Sequence, residues 1–183
     1  MVDVSLGQAH EAELTLRKAG ATPEFWTRIA QSEELARKVV ELVNQRPSFK
    51  VTIDYGQTLV DMVKAGKYDW LDCNIIQNHF PIKGSGQQEK EVALFLFGRA
   101  ISSDDAIAEM EKAGYRPARI EELLTLGASQ PELQKKFSII GLGSVWQSLC
   151  PCLHWYGGYR CLALYGLERD WDEDYRFAAV RNT

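Results

Sequence analysis

Beyond Ser138 the chain carries no long helical pattern. Ser138 to Leu142 is apolar and β-prone, the stretch from Gly143 is aromatic, Gly-rich and Cys-rich, and Arg176 to Arg181 reads as a closing strand. The parity of this region is informative. Ser148, Cys150, Cys152, His154 and Tyr156 occupy even positions, and Leu149, Pro151, Leu153 and Trp155 the odd ones. In an extended chain successive side chains point to opposite faces. The spacing therefore predicts one apolar face turned inward and one small, polar or aromatic face turned outward. Leu162 and Leu164 continue the inward face, while Cys161, Ala163 and Tyr165 continue the outward one.

The rest mixes both periods. Residues 1–46 read as helical: Gln8 to Ala19 closed by Gly20, a second start at Thr22-Pro23-Glu24, and a third at Ser32-Glu33-Glu34 with Leu35, Val39, Leu42 and Val43 at helical spacing. Pro47 ends this segment, whose 6 basic and 7 acidic residues make no electrostatic arm. Val51, Ile53 and Tyr55 alternate with polar neighbours as a half-buried strand. Thr58 to Ala65 reads as a short helix ended by Gly66, and Tyr68 to Asn78 has two aromatics but no clear period. Val92 to Phe97 is continuously apolar, the pattern of an interior strand. Helices follow from Ser102 to Gly114 and from Pro117 to a stop at Gly127. Strands and helices do not alternate regularly, so the fold class is α+β. The expected organisation is a helical module over residues 1–47 and a second domain over 48–183.

The 21 basic and 25 acidic residues leave a net charge of −4, without the dense positive footprint of a nucleic-acid binder. No apolar run approaches a membrane span. The opening MVDVSLGQAHEAEL lacks a basic segment followed by an apolar one, so no secretory signal is expected, and the four cysteines are expected reduced in a cytoplasm.

Residues 143–181 concentrate three of the five Trp, four of the seven Tyr and three of the four Cys, which makes this the segment where recognition is expected. A surface of Tyr, His, Ser, Gly and Cys has the composition of a binding paratope, because Tyr supplies contact area at low entropy cost. The segment resembles the C-terminal variable region of C-type-lectin-fold proteins diversified by diversity-generating retroelements. The resemblance lies in Gly143-Ser144-Val145-Trp146 opening the region, Trp171 inside it, and Arg176-Phe177-Ala178-Ala179-Val180-Arg181 closing it. Arg116-Pro117-Ala118 before Ile120-Glu121-Glu122-Leu123-Leu124 resembles the helix entry of that fold. It implies a C-type-lectin-like domain over residues 48–183 whose framework, Trp146, Trp171, Leu162, Leu164 and Phe177, carries an exchangeable surface. The ligand-contacting side chains would be Ser148, Cys150, Cys152, His154, Tyr156, Tyr159, Cys161, Ala163, Tyr165, Asp172, Asp174 and Tyr175. All are types that adenine-directed mutagenesis of Asn codons can reach, whereas Trp146, Gln147, Trp155, Glu168, Trp171 and Glu173 are not. The chain has no Glu-Pro-Asn or Trp-Asn-Asp triplet of the calcium-dependent sugar-binding lectins. The expectation is a non-catalytic binder of an unknown protein or small-molecule ligand, with no cofactor, nucleic-acid or membrane partner.

The competing reading is metal binding or hydrolase chemistry by Cys150, Cys152, His154 and Cys161. Thiolate and imidazole are suitable zinc donors, but C-x-C-x-H-x6-C is not a recognised zinc spacing, and alternate strand residues span too far to fill one tetrahedral site. Hydrolase chemistry needs a base close to a nucleophile, for which Cys73 with His79 and Cys152 with His154 are the candidates, neither within a known local signature. The acidic run around Trp171 reads as a solvated loop, and Gly84-Ser85-Gly86 lacks the Lys of a phosphate loop.

Overall fold

The computed structural model describes residues 5–44 and 46–182; Met1–Val4 and Gln45 of the expected N-terminal module lie outside the described residues. The chain divides into two compact units, one up to Gln45 and one from Arg46. The first contains three helices, α1 (Leu6–Lys18), α2 (Pro23–Gln31) and α3 (Glu33–Asn44). Their starts follow from local chemistry. The Thr22 hydroxyl accepts the Phe25 N–H at 3.4 Å with Pro23 in the first turn, and the Ser32 hydroxyl accepts the Leu35 N–H at 3.2 Å. The apolar stripe expected through Leu42 and Val43 falls on side chains outside the described ones.

The second unit is α+β. Its elements run β1 (Ser48–Asp54), α4 (Leu59–Gly66), β2 (Trp70–Leu71), β3 (Gln87–Phe95), α5 (Ser103–Lys112), β4 (Tyr115–Pro117), α6 (Ile120–Ser129), a 3-10 turn (Leu133–Lys135), β5 (Ile139–Ile140), β6 (Leu149–Tyr156), β7 (Tyr159–Gly166) and β8 (Arg176–Arg181). The strands form one eight-stranded mixed sheet in the order β1-β3-β8-β5-β6-β7-β2, with β4 also on β8. β5 runs parallel to β8 and β2 parallel to β7, and the other pairs are antiparallel. β3 is interior, as its continuous apolar run implies, with Phe95 opposite Phe177 on β8.

Both faces of the sheet are covered, which explains that run. Val92, Leu94, Ala178, Val180, Ile139, Leu153 and Leu162 pack on one face against Leu59 and Met62 of α4 and Ile120, Leu123, Leu124 and Leu126 of α6. Ala93, Phe95, Phe177, Ala179, Ile140, Cys150 and Cys152 pack on the other against Ala106 and Met110 of α5, Tyr115 and Trp171. α6 begins where the Ser144 hydroxyl accepts the Ile120 N–H at 2.9 Å. Glu122 accepts the Arg119 N–H at 2.7 Å and pairs with the Arg116 guanidinium at 2.8 Å.

Two helix ends differ from the expected ones. α6 starts at Ile120 and not at Pro117, which pairs in β4, and it runs past Gly127 to Ser129, whereas α4 ends at Gly66 as expected; both glycines are buried. Any Cβ at either position would collide with Tyr68, wedged between the two helices. Lys67 takes the left-handed position after α4, at φ 50°.

Candidate functional site

The alternation expected along β6 and β7 is present. Cys150 faces Tyr165, Cys152 faces Ala163, His154 faces Cys161 and Tyr156 faces Tyr159 across the hairpin, and each such pair shares one face. The hairpin turns at Gly157-Gly158, whose φ of 60° and 92° suit a two-residue connection between twisted strands. Exposure along this face is uneven. Cys150 and Cys152 are fully buried beneath Trp171 and the second core, which corrects the expectation that they face solvent. The reason is that α5 and the Trp171 loop cover this face up to Cys152, so polarity alternates along β6 while water access does not.

Beyond Cys152 the cover ends. His154 is half-buried, and Tyr156 and Tyr159 at the tip are 74% and 60% exposed. Cys161 and Ala163 are also buried, a second correction, but they form the floor of an open groove of about 580 Å³. Its walls are His154, Tyr156, Tyr159 and Tyr165 from the hairpin, Trp70 of the edge strand β2 and Asp69 just before it. Trp70 sits opposite Cys161 in parallel register. The Asp69 N–H donates to the Arg160 carbonyl at 2.9 Å, and the Arg160 N–H donates to the Asp69 carboxylate at 2.8 Å, so Asp69 is clamped beside the hairpin.

The aromatic walls support each other. The His154 ring lies 6.3 Å from Tyr156 and 5.6 Å from Tyr165. Tyr165 Oη and His154 Nδ1 share a hydrogen bond of 3.2 Å. Burial lowers the pKa of His154, favouring the neutral imidazole, and raises the Tyr165 phenol to about 12. Arg160 points to the opposite face, where its guanidinium donates to the carbonyls of Gly66 and Gly127 and to Gln134 Oε1. Gln134 in turn donates to the carbonyls of His154 and Cys161 at 2.9 and 3.3 Å. The backbone beneath the groove is thereby tied to α4, α6 and the 3-10 turn.

The other expected contact residues stand apart from this groove. Ser148 is exposed in a tight turn before β6, with φ of 60° there and 48° at Gln147. It lies at the opposite end of β6 from the tip, roughly 25 Å away at strand rise. Asp172 and Asp174 are exposed beyond Trp171, and Tyr175 packs edge-on to Trp171 at 5.4 Å. Arg169 stands over Tyr165, Trp171 and Tyr175 at 5.2, 5.3 and 5.6 Å and joins that group to the groove's inner end. Trp155, expected inward, is 39% exposed with the Lys135 ammonium 5.4 Å from its ring. Trp146 is half-buried and stacked on His79 at 3.8 Å.

Cys150, Cys152 and Cys161 of the Cys/His constellation are buried, and His154 is half-buried. Burial pushes the Cys150 thiol up to about 12 and Cys152 well above its ordinary value, and it raises Cys161 as well. None of the three carries the depressed pKa of an activated nucleophile. The Cys161 thiol donates to the Tyr159 carbonyl at 3.7 Å, and Nδ1 of His79 is bound to the Asn74 carbonyl at 2.9 Å. Among the described residues no three His, Cys, Asp or Glu side chains gather as a metal site.

Asp69 and Trp70 escaped the sequence reading. Their signal was the two aromatics in an aperiodic stretch, and the parallel pairing that places them beside residues some ninety positions later leaves no local mark. Compared with family models, curated proteins and solved structures, the chain finds no match. Among the described residues no helix is long and apolar enough to cross a membrane.

Proposed function

We propose that this protein is a non-catalytic ligand binder whose recognition surface is the groove at the tip of the β6–β7 hairpin. Its scaffold is C-type-lectin-like and its contact side chains are exchangeable. The observation that carries the reading is the change in cover along one sheet face. Cys150 and Cys152 are locked in core, while Tyr156 and Tyr159, a few residues on, are mostly exposed over a concave apolar floor. Exposed aromatics over a preformed concavity are the usual material of a binding site. The contact set is accordingly His154, Tyr156, Tyr159 and Tyr165 with Asp69 and Trp70, and Cys161 and Ala163 serve as floor.

Support for the scaffold is the way the chain closes. β8 spans Arg176–Arg181 and pairs antiparallel with β3, so both ends of residues 87–181 meet in one ladder with α5, α6 and the hairpin between them. Trp171, Leu162 and Phe177 of the expected framework are buried, whereas Trp146 and Leu164 are half-buried and Leu164 lines the groove. The four free cysteines, three of them buried, suit a reducing compartment and support a cytoplasmic location.

The test is a library randomised at His154, Tyr156, Tyr159 and Trp171, selected for folding alone by protease resistance. Broad acceptance at Tyr156 and Tyr159 with retention of Trp171 is expected. Selection back to Tyr at both tip positions would overturn the division between scaffold and surface. For diversification the discriminating observation lies in neighbouring DNA: a reverse transcriptase gene with an imperfect copy of the segment encoding residues 143–181.

A further inference from the structure

We propose that the groove takes a quaternary or methylated ammonium group, held against the ring faces of Trp70, Tyr156 and Tyr159 and balanced by the Asp69 carboxylate. The inference rests on the groove being a binding site and adds the chemistry of what enters it. Among the described residues lining the groove, Asp69 is the one with a formal charge at neutral pH, because burial favours the neutral form of His154. The nearest basic residue along the hairpin, Arg160, shares its face with Trp155 and spends its guanidinium on Gly66, Gly127 and Gln134 on the far side of the sheet. An anion entering at the tip end would meet the Asp69 carboxylate, while the Arg169 guanidinium stands over Tyr165 at the inner end. A cation meets one negative charge and several aromatic faces, which attract it through their quadrupoles.

Position matters as much as composition. The Asp69 carboxylate is fastened to the Arg160 N–H at 2.8 Å, and Arg160 follows Tyr159 directly, so the charge sits beside the tip tyrosines. Trp70, next to Asp69 and 50% exposed, stands opposite Cys161 on the groove face. Tyr165 at the inner end already carries a cation, the Arg169 guanidinium 5.2 Å from its ring. That leaves Trp70, Tyr156 and Tyr159 as the other aromatic rings lining the groove with Asp69, Tyr156 being stacked on His154 on one side. A volume of about 580 Å³ lies within the usual range of small-molecule clefts, about 300–1,000 Å³. The largely apolar rim selects among cations. A compact primary ammonium is strongly hydrated and three-fold hydrogen-bonding, so entering an aromatic slot with one carboxylate strips water that is not replaced. A methylated ammonium loses far less and gains contact with each ring.

The experiment is titration of the full chain with choline chloride, its neutral isostere 3,3-dimethyl-1-butanol, and ethanolamine. It is read by tryptophan fluorescence and by chemical-shift changes of the Trp70 indole N–H. Choline is expected to saturate the signal with an affinity at least tenfold above the isostere and above ethanolamine. Asp69→Asn should weaken choline several-fold and leave the isostere unchanged, since the asparagine oxygen can keep the Arg160 N–H bond. Tyr156→Ala should weaken both. Equal binding of choline and isostere overturns the cation inference while leaving the groove a binding site. No response from any probe overturns the cation inference too, and the folding library above then judges the groove independently. The comparison of choline with its isostere uses the unaltered protein, so an Asp69 variant that fails to fold does not blur the result.

Discussion

At the scale of single residues, burial separates scaffold from surface more sharply than residue type does. Trp171 is fully buried, and its indole N–H donates to the Ser103 hydroxyl at 2.9 Å, which donates to the Leu167 carbonyl at 2.9 Å. Trp171→Ala removes a large core side chain and orphans that relay, and is expected to destabilise by about 3–5 kcal/mol in chemical denaturation. Tyr156→Ala and Tyr159→Ala, made in exposed rings, should stay within about 0.5 kcal/mol of the parent. Glu121 supplies a pH-dependent case. It is 1% exposed, and burial raises its carboxyl, with Glu122 adding to the shift and Arg119 opposing it. Since its folded pKa lies above the unfolded one, the associated stability is complete below the ordinary carboxylate range and is lost as pH climbs through the folded value. Glu121→Gln removes the ionisation. Its melting temperature should match the parent in acid and exceed it at neutral pH; equal melting at both would show that the carboxyl is not strained by burial.

At the scale of elements, local signals mark most helix limits but miss both ends of α6, which starts at Ile120 and not at Pro117, a residue of β4, and runs past Gly127 to Ser129. The starts at Thr22, Thr58 and Ser102 are each made by a hydroxyl accepting a first-turn N–H, a contact within three residues. The expected stop at Gly127 fails, and both Gly66 and Gly127 lie close against the Tyr68 ring. In an isolated helix Gly→Ala would stabilise. Here Gly66→Ala and Gly127→Ala should destabilise by about 1–3 kcal/mol through overpacking against the tyrosine ring, and Tyr68→Leu should relieve much of that loss in a double variant. The turn before β6 holds Gln147 and Ser148 in the left-handed region, and its ends are tied by Trp146 and Leu149 bonds of 2.9 and 2.8 Å. Ser148→Gly should therefore stabilise by up to about 1 kcal/mol in thermal melts. This marks the position as a strained turn rather than part of the groove.

At the scale of the whole molecule, the two compact units predict independence. Both hydrophobic clusters lie wholly within the unit that starts at Arg46. A chain of residues 46–183 is expected to fold with an unchanged main unfolding transition by calorimetry; loss of that transition would show that the first unit completes the core. The mixture of periods in the sequence already declared the α+β class, the interior character of β3, the closing strand at Arg176–Arg181 and the parity of the hairpin. These depend on contacts between near neighbours and on period-two geometry, which any strand imposes on its own side chains. Whether a polar-looking face meets water was decided elsewhere, by α5 and the Trp171 loop covering Cys150 and Cys152 and stopping short of His154. Tertiary pairing also brought Asp69 and Trp70 to the groove from the far end of the unit. Alternation is a property of one strand, but cover is a property of what packs above it, and that partner is written nowhere in the strand itself.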